Sequence, residues 1–421
     1  MRLKEAVRAL GISDSAEVLK KGWKESQASL PRDEVSFLTP DFARDACRQI
    51  GLSDEIAGAI TAVCERVAGN KALAALAWHC HRALFSGDHY SFDDVSSWPS
   101  LKNALEADAN AFYLLVVLSG VPKMRELNEA HSVPPEVERD TLRDLVRSLE
   151  WRKRRDDSRT WGLHLHDVAW FTNFVRGDLY RLGRLQFQFG TFCHPARAFR
   201  HKTTGAVLAV SEDGVRYDAD GQRTDAEGDG AWVAELTLGG DGVVGNPILP
   251  TGQALPRKVT LPSAEWHQAL APRDPILNIH IPDGGPLAHD ACGESFRRAA
   301  EFFPRHYPER PFIGFCCHSW LLDGQLEDML PPTSNMVRFQ RDVYLLPTEM
   351  DVDELFRTVF HGQPDDLAKA PRDTALRRAI LERLERGETL KPRAGGCFLL
   401  PDDLDWGAEV YRRRHLDQFL G

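Results

Sequence analysis

The stretch ILNIHIPDGGPLAHDACGESFRRAAEFFPRHYPERPFIGFCCHSW (residues 276–320) decides how the second half of the chain folds. Ile276 to Ile281 is a short apolar run rich in isoleucine and reads as a strand. Pro282-Asp283-Gly284-Gly285-Pro286 stops it, since proline cannot donate to a ladder and the glycines favour a turn. A helix is expected from about His289 or Asp290 to Phe303, and Phe312 to Trp320 is a second apolar strand. Further on, Asp323–Leu330 and Asn335–Gln340 read as short helices and Asp342–Leu346 as a strand. This order of strand, helix, strand, helix, strand is that of an α/β domain. The tail turns helical again over 351–360 and 373–385 and ends in a basic helix near Tyr411–Leu420.

Upstream, Tyr180–Phe189 alternates as a strand, and Val207–Val210 with Val215–Tyr217 reads as a hairpin across Glu212-Asp213-Gly214. Ala231–Leu238 and Val259–Leu261 are further strands, and the acidic, Gly-rich Asp218–Gly230 is expected to be a loop. Residues 1–150 differ throughout. Leu3, Val7 and Leu10 share a helical face, Ser13 or Asp14 suits a cap, and Thr39-Pro40, Ser53-Asp54 and Asn70 each open a helix. The prolines of this part stand at helix ends, and no strand pattern occurs before residue 160. The charged run Glu150–Asp157 is read as a solvated linker. The expected organisation is a helical N-terminal domain (1–150), an α/β domain (151–350) and a helical C-terminal extension packed on it (351–421).

The chain has 421 residues, 43% apolar and 27% charged, an ordinary globular composition. Its net charge of −10 argues against a general nucleic-acid binder and is compatible with a cationic acceptor. The N-terminus has no apolar core of a secretory signal, and the longest apolar run, Ala111–Leu118, is far short of a membrane span of about 20 residues. Eight cysteines without CxxC spacing point to free thiols in a reducing compartment, so a cytoplasmic location without membrane attachment is expected. His164, His166 and Asp167 have strand-type metal spacing and His79 and His81 do not suit a helix face, and no set of ligands closes a site, so no metal is expected. Nothing in the sequence speaks to oligomeric state.

Several blocks resemble one family. They are YRLGRLQF (Tyr180–Phe187), GNPILPTGQ (Gly245–Gln253), NIHIPDGGPL (Asn278–Leu287), CGESFRRAAEFFPRHYPE (Cys292–Glu309), CCHSWLLDGQL (Cys316–Leu326), SNMVRFQ (Ser334–Gln340) and PRDTALRRAILERLERG (Pro371–Gly387). Together they are similar to bacterial acyltransferase-domain proteins that join an N-acyltransferase-type helical domain to a GNAT-like domain. The resemblance implies a mixed sheet with flanking helices, acyl-CoA as co-substrate, and an amine of a small molecule or peptide as acceptor. In such folds two neighbouring strands splay and the pantetheine arm lies between them, here along Ile279 and Ile281. The pyrophosphate would then rest on Asp283 to Cys292, with Gly284 and Gly285 allowing close approach and Cys292 and Gly293 in the first helical turns. The family's Arg/Gln-x-x-Gly-x-Gly/Ala fingerprint is absent from this turn, which carries Asp283 and Asp290 instead.

The residues themselves allow several chemistries. His280 shares a strand face with Asn278 and suits a general base, or is a core histidine bonded to a carbonyl. His318 and Ser319 end the second strand on opposite faces and are the other proton-transfer candidates, because Asp323–Gln340 holds no tyrosine for the usual family acid. Arg184 and Gln186 share a face and would line the acceptor pocket with Asn278, or cover a solvent face. Cys316 and Cys317 allow a thiol nucleophile, giving a cysteine hydrolase, or are inert buried thiols. An acyl-CoA-dependent N-acyltransferase is the first expectation, and a non-catalytic scaffold that binds acyl-CoA or another ligand is the alternative.

Overall fold

The computed structural model describes all residues except 14–15, 87–90, 156–160, 283–284, 350–351, 361, 363, 365, 389–393 and 414–421. The chain forms two compact units, Met1–Leu182 and Gly183–Gly421.

The first unit is helical, and its helices begin where short polar residues can cap them. Thr39 accepts from Phe42 N–H (3.2 Å) with Pro40 in the first turn, Ser53 accepts from Ile56 N–H (3.4 Å), and Asn70 accepts from Ala72 and Leu73 (2.9 and 3.2 Å). Asp14 lies outside the described residues. The apolar helix α1 (Ala109–Leu118) is buried along nearly its whole length, as a helix without a polar face must be. By length and composition Lys102–Ala130 would suffice to cross a membrane, but 72% of its apolar 18-residue window is buried inside the protein. The charged run at 150–155 is no linker. It is the last part of helix α2 (Pro135–Arg155), whose inward residues Leu142, Leu145 and Leu149 are buried. The unit runs on through the helix Leu165–Val175 and the short strand Leu179–Leu182. His164 caps that helix, so His164 and His166 are not on a strand.

The second unit is built on β1 (Leu185–Thr191), β2 (Pro275–His280), β3 (Gly314–Ser319), β4 (Tyr344–Thr348) and β5 (Ala394–Leu399), in the spatial order β1-β2-β3-β5-β4. Only β2 and β3 are parallel, joined by the crossover helix α3 (His289–His306). Alternation puts Phe187 and Phe315 under α3, where they meet the ring of Phe296 edge-on (5.9 and 5.2 Å between centroids). After β3 come α4 (Asn335–Asp342), α5 (Val352–Phe360) and α6 (Ala375–Glu385). The last two share a small core with α4 through Val337, Phe356, Val359 and Ile380.

Several expectations are corrected. The strand expected over 180–189 breaks at Gly183, whose φ of +76° no strand allows. Val207–Ser211 pairs with Ala196–His201 and Pro247–Ile248, while Arg216–Tyr217 pairs with Trp232–Val233, so the expected hairpin does not form. Leu236–Gly239 belongs to another small sheet, splitting the strand expected over 231–238. The segment after 351 is more than a helical extension, since it returns β5 to the interior of the main sheet. Of the basic helix expected over 411–420, Val410–Arg413 is described and the rest lies outside the described residues.

Candidate active site

The ladder between β2 and β3 pairs Ile276 with Gly314, Leu277 with Phe315 and Asn278 with Cys316, and there it ends. Both strands continue. Ile279 and His280 stay paired to Phe187 and Gln186 of β1, and Cys317, His318 and Ser319 stay paired to Cys397, Gly396 and Gly395 of β5. The two strands are therefore held on their outer sides while they separate from each other. This is the splay that the sequence analysis expected between Ile276–Ile281 and Phe312–Ser319.

A cleft of about 780 Å³ opens at this separation. It brings together Arg184, Ile279, His280, Ile281, Gly285, His318 and Ser319, seven of the residues that the sequence singled out. Its walls are apolar side chains such as Trp320, Leu321 and Met336. Two helices begin on it, α4 at Ser334–Met336 and α6 at Thr374–Leu376, and Leu287 lies just before Ala288, the N-cap of α3. Each helix start carries backbone N–H groups without helical partners and the positive end of the macrodipole.

Two histidines flank the splay on the face away from α3. His280 is hydrogen-bonded through Nε2 to Gln188 Oε1 (2.9 Å), and burial lowers its pKa to about 4, so it is neutral at pH 7. His318 is exposed at the end of β3. Behind it lies His194, whose ring centroid is 6.3 Å from that of His318. His194 is 6% exposed, and burial, then the nearby His318 and Arg223, lower its pKa to about 4. Sequence reading missed His194, which sits in the loop Thr191–Pro195. The available signal was the pair Gly395-Gly396: a Cβ at Gly396 would lie 2.2 Å from His194 Cε1, so the ring rests on bare backbone.

The turn before α3 is held from β1. Arg184 donates from Nη1 to Pro282 O (2.8 Å), from Nη2 to Gly285 O (3.1 Å) and from Nε to Pro286 O (3.1 Å). The start of α3 is pinned from its other side by buried His289, which is bonded to Asp342 Oδ2 (2.5 Å) and stacked on Trp406.

Other candidates fall elsewhere. Cys292 and Gly293 are in the body of α3: the Cys292 N–H already donates to Ala288 O (3.1 Å), and Gly293 is small because Trp406 covers it. Neither can hold a phosphate at the cleft. Gln186 is buried opposite His280, and the Asn278 amide packs over Gly190, so neither lines the cleft. Asp283 and Gly284 lie outside the described residues. Cys316 and Cys317 are buried, and burial pushes the Cys317 thiol up to about 12 and that of Cys316 well above its ordinary value. They are protonated, inert thiols, and the nucleophile reading falls. Among the described residues no group of three or more His, Cys, Asp or Glu could hold a metal.

Comparison with known proteins agrees with this geometry. Residues 179–397 match the family of the GNAT-like C-terminal domain, and residues 41–177 match the N-acyltransferase N-terminal domain. An acyltransferase in complex with decanoyl-CoA and teicoplanin is similar at 25% identity and a TM-score of 0.62, over 95% of this chain and 100% of its own. Another in complex with CoA and 10C-teicoplanin is similar at 25% identity and a TM-score of 0.61, over 94% and 99%. A mutant acyltransferase in complex with octanoyl-CoA gives 25% and 0.62, over 95% and 100%. No curated protein matches the chain.

Proposed function

From the premise that this chain belongs to the GNAT-like acyltransferases with an N-acyltransferase N-terminal domain, we propose that its cleft binds an acyl-CoA and passes the acyl group to an amine of a peptide or small molecule. The observation that carries this reading is the early end of the β2–β3 ladder over a cleft wide enough for an extended arm. The amide groups of a pantetheine arm can satisfy strand backbone at the separation, as an added strand would. The helix starts at Ser334 and Thr374, with Leu287 just before α3, suit the phosphates.

The chemistry follows from the side chains at the strand ends. The acceptor nitrogen attacks the thioester carbon, the C–N bond forms, the C–S bond breaks, and the products are an amide and CoA thiol. A backbone N–H near Ile279–Ile281 serves the oxyanion. His318, exposed at the cleft, takes the amine proton with His194 behind it. His280 stays neutral and keeps the polar face oriented through Gln188. Ser319 Oγ accepts from Leu321 N–H (3.2 Å), which leaves its own proton to donate to the departing thiolate. The relatives' complexes with teicoplanin support a peptide-sized acceptor. A cytoplasmic location belongs to the same proposal and is supported by eight free cysteines, seven of them buried.

Calorimetry with CoA, acetyl-CoA and octanoyl-CoA tests the donor. Binding of at least one of them, followed by thiol release with a panel of amines, is expected; binding of none removes the reading.

A further inference from the structure

We propose that Arg184 is a positioning residue that shapes the phosphate-facing turn from outside it, an inference that deepens the acyl-CoA reading and rests on it. All three guanidinium nitrogens are used on the carbonyls of Pro282, Gly285 and Pro286. A planar fork bonded at three points fixes the orientation of the peptides it touches. With the Pro286 carbonyl turned toward Arg184, the planar peptide aims the Leu287 N–H the opposite way, and Leu287 lines the cleft. The same fork draws three carbonyl oxygens, which would repel a phosphate, toward a fixed positive charge.

The main chain of the same residue completes the brace. Ser295 of α3 accepts from Arg184 N–H (2.8 Å) and Leu185 N–H (3.3 Å) and donates to Ala291 O (2.9 Å). One residue thus registers the turn through its side chain and the helix behind that turn through its backbone. Gly183 beside it has φ +76°, and a Cβ there would come within 3.0 Å of Ser295 Oγ. Among the described residues Pro282, Gly285, Pro286 and Leu287 none is a cation. Arg184 is therefore assigned to the donor side as a brace of the turn, in contrast to the acceptor-lining role that strand alternation suggested.

The test compares octanoyl-CoA with octanoyl-pantetheine, which share the thioester and the arm but differ in the nucleotide and its phosphates. Calorimetry on the full chain should show Arg184→Met and Arg184→Lys both weakening octanoyl-CoA tenfold or more and octanoyl-pantetheine less than twofold. Turnover at saturating octanoyl-CoA should stay within threefold of wild type, so the loss appears in KM. Should Arg184→Met fail to fold, Arg184→Lys and Ser295→Ala carry the test, the latter with a loss of about threefold for octanoyl-CoA alone. Wild-type affinity in Arg184→Lys would show that charge and not the three-point brace matters, and equal losses for both donors would place Arg184 at the thioester; either overturns the proposal. If the wild-type chain binds neither donor, the acyl-CoA reading falls first and this proposal with it.

Discussion

The two edges of β3 receive opposite treatment. Toward β5 it is paired from Phe315 to Ser319, and toward β2 only from Gly314 to Cys316. The strand presents the same Cys317, His318 and Ser319 to both sides, so its own sequence does not make the opening. The neighbours do. β5 offers Gly395 and Gly396, whose bare backbone admits the Leu322 carbonyl and the His194 ring above it. β2 offers Ile279 and His280 held outward by β1, and two residues after it stands Pro282, which has no N–H to give. A binding gap in a sheet is thus a property of three strands taken together.

The closed edge breaks most severely. Gly395→Ala would place a Cβ 1.9 Å from the Leu322 carbonyl, a backbone atom that cannot swing aside. Thermal melts should show a loss of about 3 kcal/mol or more, the upper end of overpacking costs. On the open edge, His318→Ala should lower thiol release by roughly 10²–10⁴-fold, the range for a lost general base, with the Kd for octanoyl-CoA within about threefold. A Kd that collapses along with the rate would move His318 from proton transfer to binding. His194 links the two edges and gives a pH signature. Its folded pKa of about 4 is below the unfolded value near 6.5, so the unfolded chain binds the extra proton between them. Stability is fully present above pH 6.5 and falls as pH drops toward 4, by up to about 1.4 kcal/mol per pH unit for this group. His194→Gln should reduce the slope of denaturant-derived stability across that window by one histidine's share, since His79, His81 and His280 titrate in the same direction, and an unchanged slope would deny the neutral state. The smallest effect is expected from Cys316→Ala and Cys317→Ala, each leaving turnover within about threefold; a hundredfold loss would restore thiol chemistry.

What could be read from the chain divides along the same lines. The strands at 276–281 and 312–320 and the helix between them were legible because each is decided by local periodicity and by Pro and Gly at its ends. Six of the seven cleft residues, all but Arg184, follow from them, since strand ends in this order must meet at one cleft. β5 was not legible: Ala394-Gly395-Gly396 has poor strand propensity, and only the contacts of its neighbours make it a strand. His194 lies in a loop, where no period reports which way a side chain points. Arg184 was placed by alternation on the assumption that the strand began at Tyr180, but the break at Gly183 resets the pattern. The helical unit shows the limit of reading single residues. Buried His79 and half-buried His81 also have pKa values lowered to about 4, yet they are bonded to Ser26 and Ser119 along one core helix. A buried neutral histidine becomes informative only beside an opening in the backbone ladder.

The late position of β5 has a consequence for how the protein is made. Chains emerge from synthesis in order, and domains fold as their parts become available. β4 ends at Thr348, but the strand that must sit between it and β3 spans Ala394–Leu399. Until that segment arrives, β3 and β4 have no common partner and the nascent sheet has a vacant lane through its middle. The helices α5 and α6 are translated during this interval and have their own small core to form. The donor cleft therefore has one of its two walls unsupported until Ala394–Leu399 has been made, and the sheet that carries it cannot close before then.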